Sequence, residues 1–229
     1  MTSFDIINPY TETITHTYNY ESVSECHKKI SDSHTMYQKW RDYPISHRIR
    51  IIHEIKTFLL NNKHFLAKLI STDMGKPITE AIKEIEKSAQ CCDYFEKNST
   101  AIEKRMKKKN GFHEPLGVIL GIMPWNFPVW QIIRFIIPTL LAGNTCLIKP
   151  APNTYRIANQ LIYFFKNNNI PIVNNFIPTT TDCETLIGNP LISGVSFTGS
   201  VNVGKHIGSL ATHHLKPCVL ELGGCYLIY

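Results

Sequence analysis

From residue 117 onward the chain alternates short β-rich runs with helical segments, a rhythm that few folds accommodate. Strands are predicted over 117–122, 145–148, 172–177, 194–198 and 217–221, with helices over 128–141, 154–167, 182–188 and 201–212 between them. Strands separated by helices of this length form βαβ units and hence a parallel sheet. Such a sheet is covered on both faces, so its strands read as nearly unbroken apolar runs. Val118, Ile119, Leu120 and Ile122 have that character.

The first half keeps a different rhythm. Residues 4–20 alternate weakly about an Asn8-Pro9 turn and predict a short strand pair. A helical pattern starts at Val23. Ile45, Ile49, Ile52, Ile55 and Leu59 then form one apolar stripe, with Arg48, Arg50, Glu54 and Lys56 largely off it. A helix over 64–73 is broken by Gly75-Lys76-Pro77. A long helix over 78–104 carries Glu80, Lys83, Glu84 and Lys87 at three- and four-residue spacings that suit ion pairs along one helix. The vicinal Cys91-Cys92 on it is read as core packing, since adjacent cysteines rarely reach disulfide geometry.

Composition excludes several classes. The 229 residues are 43% hydrophobic and 18% charged, which describes a globular chain of one large or two small domains. Part of the net charge of +6 comes from Lys104, Arg105, Lys107, Lys108 and Lys109. No aromatic or Ser-rich pattern accompanies this cluster, so a solvated helix end and loop is expected and no nucleic-acid partner. The opening MTSFDIINPYTET lacks a basic and an apolar signal region, and no run reaches the roughly 18 apolar residues of a membrane span. Cysteines 26, 91, 92, 146, 183, 218 and 225 show neither metal-ligand nor disulfide spacing. No metal and no membrane partner is expected, and a cytoplasmic location with reduced thiols is.

Candidate functional residues gather at the carboxyl ends of predicted strands, where open α/β sheets place their ligand sites. Gly117–Pro128 reads GVILGIMPWNFP: Pro124 ends the strand, and Asn126 follows on a short turn before the next helix. Its amide is either a site group or an ordinary turn residue. Phe197-Thr198-Gly199-Ser200 ends another strand and opens a helix with Gly204 in its first turn. Small residues at a helix N-terminus suit a pyrophosphate, and equally a plain helix cap. Lys149 ends the strand before Pro150-Ala151-Pro152-Asn153, where the usual dinucleotide fold has a carboxylate on the ribose. A lysine there tolerates a 2′-phosphate, or is a surface lysine. Glu221 ends the last strand beside Gly223 and Gly224, as a candidate general base or a structural ion-pair partner at a buried strand end.

In order and approximate spacing, Met123-Pro124-Trp125-Asn126-Phe127-Pro128, Asn144-Thr145 with Lys149-Pro150, Phe197-Thr198-Gly199-Ser200 with Gly204, and Glu221-Leu222-Gly223-Gly224 resemble the aldehyde dehydrogenase superfamily. Ile7-Asn8-Pro9 and Met74-Gly75-Lys76-Pro77 resemble it too. The Lys149–Asn153 run and Trp130-Gln131-x-x-Arg134 are similar to the bacterial succinate-semialdehyde dehydrogenases. The resemblance implies an α/β fold with a parallel, Rossmann-like coenzyme-binding sheet, and an oxidoreductase that converts an aldehyde such as succinate semialdehyde to the acid with NAD or NADP. It implies that Asn126 donates to the oxyanion of a thiohemiacetal and that Glu221 activates the water that hydrolyses the thioester. Lys149 would hold the adenosine ribose, while Met123, Trp125, Gly199, Ser200 and Gly204 would line the coenzyme and the Leu222 backbone would face the nicotinamide amide. Arg134 would meet a substrate carboxylate, although on an otherwise apolar helix a structural salt bridge also satisfies it.

The family's nucleophile is a cysteine in a Gly-Gln-x-Cys context well beyond Glu-Leu-Gly-Gly, and the sequence ends at Tyr229 before such a segment. Cys225 follows Gly224, but its apolar neighbours Tyr226, Leu227 and Ile228 raise a thiol pKa, so it is not expected to be the nucleophile. The acidic residue on the nicotinamide ribose and the C-terminal assembly strand are missing as well. The expectation is an N-terminal half without its catalytic domain. Residues 1–108 would form a strand pair and helices packed on a coenzyme-binding βαβ domain over 109–229, incomplete at its C-terminus. Segment 97–113 looks shortened where the family carries a bridging hairpin, which argues against oligomerisation. Such a chain would be inactive alone: a dehydrogenase half complemented by a second chain, a non-catalytic NAD(P)-binding or interaction protein, or a non-functional fragment.

Overall fold

In the computed structural model, which describes residues 2–106 and 113–224, the chain opens with an antiparallel pair, β1 (Ser3–Ile7) and β2 (Ile14–Asn19). Four helices follow: α1 (Val23–Trp40), α2 (Ile45–Asn61), α3 (Lys63–Met74) and α4 (Ile78–Met106). The first is set by a capping box, in which Ser22 and Glu25 satisfy each other's backbone N–H groups. The third stops at Gly75, whose φ of +76° is left-handed and whose missing Cβ leaves room for Pro9; a Cβ there would lie 2.8 Å from the proline ring.

The remainder is β3 (Val118–Ile122), α5 (Pro128–Leu141), β4 (Thr145–Lys149), a 3₁₀ turn at Pro152–Thr154, α6 (Tyr155–Asn167), β5 (Val173–Asn175), α7 (Thr180–Ile187), β6 (Ile192–Gly199), α8 (Val201–His213) and β7 (Cys218–Leu222). The strands form one parallel sheet in the order β5-β4-β3-β6-β7, as the alternation predicts. Strand β5 is shorter than the predicted 172–177. It pairs with β4 alone; Phe176 N–H still donates to Ile148 O at 3.0 Å, and Phe176 and Ile177 continue beyond the strand while remaining buried.

Alternation along β3 and β4 assigns the two faces. Val118, Leu120, Ile122 and Leu147 pack with Cys26 and Ile30 of α1 and with residues of α7 and α8. Met123, Cys146 and Ile148 face α5 and α6, behind which α2, α3 and α4 form a second helical layer. Cys92 is fully buried in that layer and Cys91 partly so, and the six described cysteines are free. Lys104 and Arg105 are exposed at the end of α4, whereas Lys107, Lys108 and Lys109 lie outside the described residues. Among the described residues no helix is long and apolar enough to cross a membrane.

Helix α5 lies at the centre, and its exposed backbone termini are met by side chains from other helices. At its carboxyl end the Trp40 indole donates to Leu140 O at 3.1 Å. Arg48, expected off the apolar stripe, is instead buried, and donates to Leu141 O at 2.9 Å and Arg41 O at 2.8 Å. A cation is favoured there because the last carbonyls of a helix lack partners and carry its negative dipole end. Replacing Arg48 by Leu should therefore lower unfolding stability by about 3 kcal/mol, through loss of two charge-assisted bonds and the orphaning of buried carbonyls. Urea denaturation checks this, and a loss below about 0.5 kcal/mol, the size of an ordinary surface change, contradicts it.

Candidate functional site

At the carboxyl end of β3 the chain must turn from strand to helix within a few residues. Met123 N–H still pairs with Lys149 O at 3.0 Å, and Pro124 then ends the ladder. Pro128 begins α5, where its missing N–H and fixed φ cost nothing. Between the two prolines, the N–H groups of Trp125, Asn126 and Phe127 make no hydrogen bond among the described residues. Asn126 is exposed, and its carboxamide has no hydrogen-bond partner among them.

The start of α5 is held by Glu84 of α4. Its side chain is fully buried, and one carboxylate oxygen accepts the N–H groups of Val129 at 2.9 Å and Trp130 at 3.0 Å. The other oxygen takes the ammonium of Lys76, which also lies 3.8 Å from the centroid of the Phe127 ring. Sequence reasoning missed both residues as contributors to this corner. Glu84 sits at helical spacing from Glu80 and Lys87, which disguises it as one more exposed pair. Lys76 stands in a motif read above only as a helix break and for its resemblance.

A cavity of about 410 Å³ opens at this edge of the sheet, lined by Trp125, Asn126, Arg134, Ser200, Glu221 and Leu222 among others. With Gly199, which also lines it, seven predicted residues thus meet in one place. Ser200 caps α8 by accepting Val203 N–H at 3.4 Å, while the N–H groups of Val201 and Asn202 have no acceptor among the described residues. Arg134 donates to Gln131 Oε1 at 3.0 Å and lies 3.5 Å from Glu221 Oε2. Glu221 corrects the expectation of a buried strand end. Strand β7 is outermost, and its carboxylate is exposed and leans on the half-buried Arg134. The ion-pair reading left open for both residues is the arrangement in this structure.

Three predicted residues lie apart from this cavity. Met123 is buried on the α5 side and lines a neighbouring apolar cavity of about 390 Å³, with Phe135, Thr139 and Val219. Gly204 is buried inside α8, and its N–H is already bonded to Ser200 O, so it offers no donor to an anion. It is small because Leu222 crosses it: a Cβ there would stand 2.2 Å from Leu222 Cδ2. Lys149 ends β4 largely withdrawn from solvent. Burial pulls its pKa below the usual lysine range, opposed by Cys183, and no hydrogen bond or ion pair satisfies it among the described residues.

The thiolate form is disfavoured at each of the six described cysteines. Burial raises all six described cysteines, Cys26 to about 12 and Cys183 to about 11, with Cys91, Cys92, Cys146 and Cys218 also held protonated. None of them lines the Asn126 cavity. Cys225 lies outside the described residues. Among the described residues no cluster of His, Cys, Asp and Glu could hold a metal ion.

Comparison with known proteins shows the family. A profile described as the aldehyde dehydrogenase family matches residues 1–227. The chain belongs to the aldehyde dehydrogenase family. Its sequence is 35% identical to the NADP(+) succinate-semialdehyde dehydrogenase of Deinococcus radiodurans, over 96% of this chain and 48% of that protein. It is 38% identical to the NAD(P)+ succinate semialdehyde dehydrogenase of Escherichia coli K12, over 82% and 42%. Among solved structures it superposes on the succinic semialdehyde dehydrogenase of Streptococcus pyogenes, in complex with NADP+, with a TM-score of 0.88 and 28% identity, covering 96% of this chain and 50% of the other. The chain therefore spans about half the length of the dehydrogenases it matches.

The Gly204 packing gives a signed expectation. Gly204→Ala should not lower the thermal midpoint, because a helical alanine gains up to about 1 kcal/mol and the clashing atoms end a flexible, partly exposed leucine. The Leu222 methyl resonances should move as that side chain swings away. A midpoint lowered by several degrees with unmoved Leu222 methyls contradicts the placement.

Proposed function

We propose that this chain forms the coenzyme-binding half of a dehydrogenase that oxidises succinate semialdehyde, or a similar carboxylate-bearing aldehyde, to the acid with NADP+ or NAD+. The observation that carries the reading is the convergence of Asn126, Arg134, Ser200 and Glu221 on one cavity at the carboxyl ends of parallel strands. The residues fit a dinucleotide. Two unpaired N–H groups at the start of α8, behind the Ser200 cap, suit a pyrophosphate. The withdrawn ammonium of Lys149 lacks an acceptor that a ribose hydroxyl or a 2′-phosphate would provide.

The bound nicotinamide supplies hydride acceptance; the rest is the work of this chain's side chains. Asn126, whose amide donors are uncommitted, donates to the oxygen of the aldehyde as it gains negative charge. Arg134 draws the distal carboxylate of the substrate. Glu221, at the cavity rim, is the base that takes a proton from water. The thiol nucleophile comes from outside the described residues, since all six described thiols are buried or raised. That chemistry also favours a second reading, in which the isolated chain binds coenzyme without turnover. Aldehyde-dependent NADPH formation by the chain alone, abolished by thiol alkylation, excludes it.

Titration calorimetry tests the coenzyme claim. Saturable NADP+ binding is expected, weakened about 10- to 100-fold in Lys149→Met, the range of one charge-assisted hydrogen bond. The pH dependence has a definite sign. Binding needs the ammonium, whose pKa is lowered in the free protein, so affinity falls as pH rises through that lowered value, before an ordinary lysine titrates. In Lys149→Met this alkaline limb disappears. Equal affinities of the two proteins with identical pH profiles reject the role of Lys149, and no binding at millimolar NADP+ rejects the reading.

A further inference from the structure

We infer that Glu84 and Lys76 are positioning residues for Asn126: a buried ion pair on another helix fixes the corner that presents the amide to the cavity. This rests on the oxyanion role given to Asn126 above, but the structural part stands by itself. The corner between Pro124 and Pro128 contains no internal hydrogen bond among the described residues, so its course is set by its two ends. One end is pinned in the sheet by Met123 N–H on Lys149 O. The other is the first turn of α5, and there the Glu84 carboxylate takes both of the N–H groups left without helical acceptors after Pro128.

A single carboxylate oxygen accepting two amides fixes both the height and the rotation of the helix start. A negative charge at this terminus is also favoured by the helix dipole. Burying a lone carboxylate is costly; the Lys76 ammonium, itself almost wholly buried, supplies the countercharge. Lys76 holds the corner from its other side too, over the face of Phe127, the residue after Asn126. Lys76 is set in turn by the left-handed Gly75 against Pro9. Contact thus runs from the N-terminal turn through Lys76 and Glu84 to Phe127 and the first turn of α5, directly after Asn126.

Amide exchange and nitrogen-15 NMR of the full chain test the inference. In the wild type, Val129 N–H should exchange at least tenfold more slowly than Asn202 N–H, the matching first-turn amide of α8, which has no carboxylate acceptor. In Glu84→Gln, and in Glu84→Asp, which keeps the charge but shortens the reach, that protection should fall. The side-chain amide signals of Asn126 should shift while those of Asn175 on β5, which donates to Asn159 of α6, stay in place. A purely structural role would leave Asn126 unmoved in a folded variant, and that result overturns the inference. Wild-type exchange of Val129 as fast as that of Asn202 overturns it as well, whether or not the variants fold. NADP+ titration of the same samples keeps the two readings distinct: failure of the wild type to bind sinks the coenzyme reading and leaves the exchange result standing.

Discussion

The arrangement of this chain depends on one buried ion pair placed at the start of a central helix. Glu84 and Lys76 have left water almost completely, a state that costs several kcal/mol per ion unless geometry and hydrogen bonds compensate. Compensation comes from the two amides of α5, its dipole and the Phe127 ring. The opposite end of the same helix is closed by Arg48 and Trp40. Helix α5 is therefore clamped at both termini by side chains of α1, α2 and α4, and what it clamps is the position of Asn126 and Arg134.

This explains why motifs scattered over the first half of the chain belong to a site built from the second half. The Asn8-Pro9 turn rests on Gly75, Gly75 orients Lys76, and Lys76 pairs with Glu84 beneath the Asn126 corner. The place of a strand in the sheet sets how its end is held. Strand β3 is central and paired with β4 and β6, so the corner that carries Asn126 starts from a strand held on both sides. Strand β7 is outermost among the described strands, so Glu221 and Leu222 at its end pair with β6 on one side and are exposed, with Glu221 beside Arg134 and Leu222 against α8.

Much of the fold was legible in the sequence because it is written in local period. Apolar runs broken by helical segments give the parallel sheet directly, and Pro124 and Pro128 bracket the corner. What the sequence could not show are relations between distant residues. Glu84 has the same local setting as Glu80, yet one is buried beneath α5 and the other is exposed. Arg48 lies off the stripe of α2 by spacing, but Leu141 O waits there in three dimensions. Gly204 reads as room for a ligand and proves to be room for Leu222. The burial of Glu221 was misjudged because a strand's place in the sheet, edge or centre, is not encoded in its own residues.

The central claim is that the carboxyl ends of β3 and β6 form a coenzyme site held ready by the α5 clamp. Amide chemical-shift mapping of the isotopically labelled chain during NADP+ titration tests it most directly. The account predicts saturable shifts concentrated at Trp125, Asn126, Gly199, Ser200 and Val201. Shifts confined to the exposed basic end of α4, around Lys104 and Arg105, or no shifts at millimolar NADP+, would contradict it.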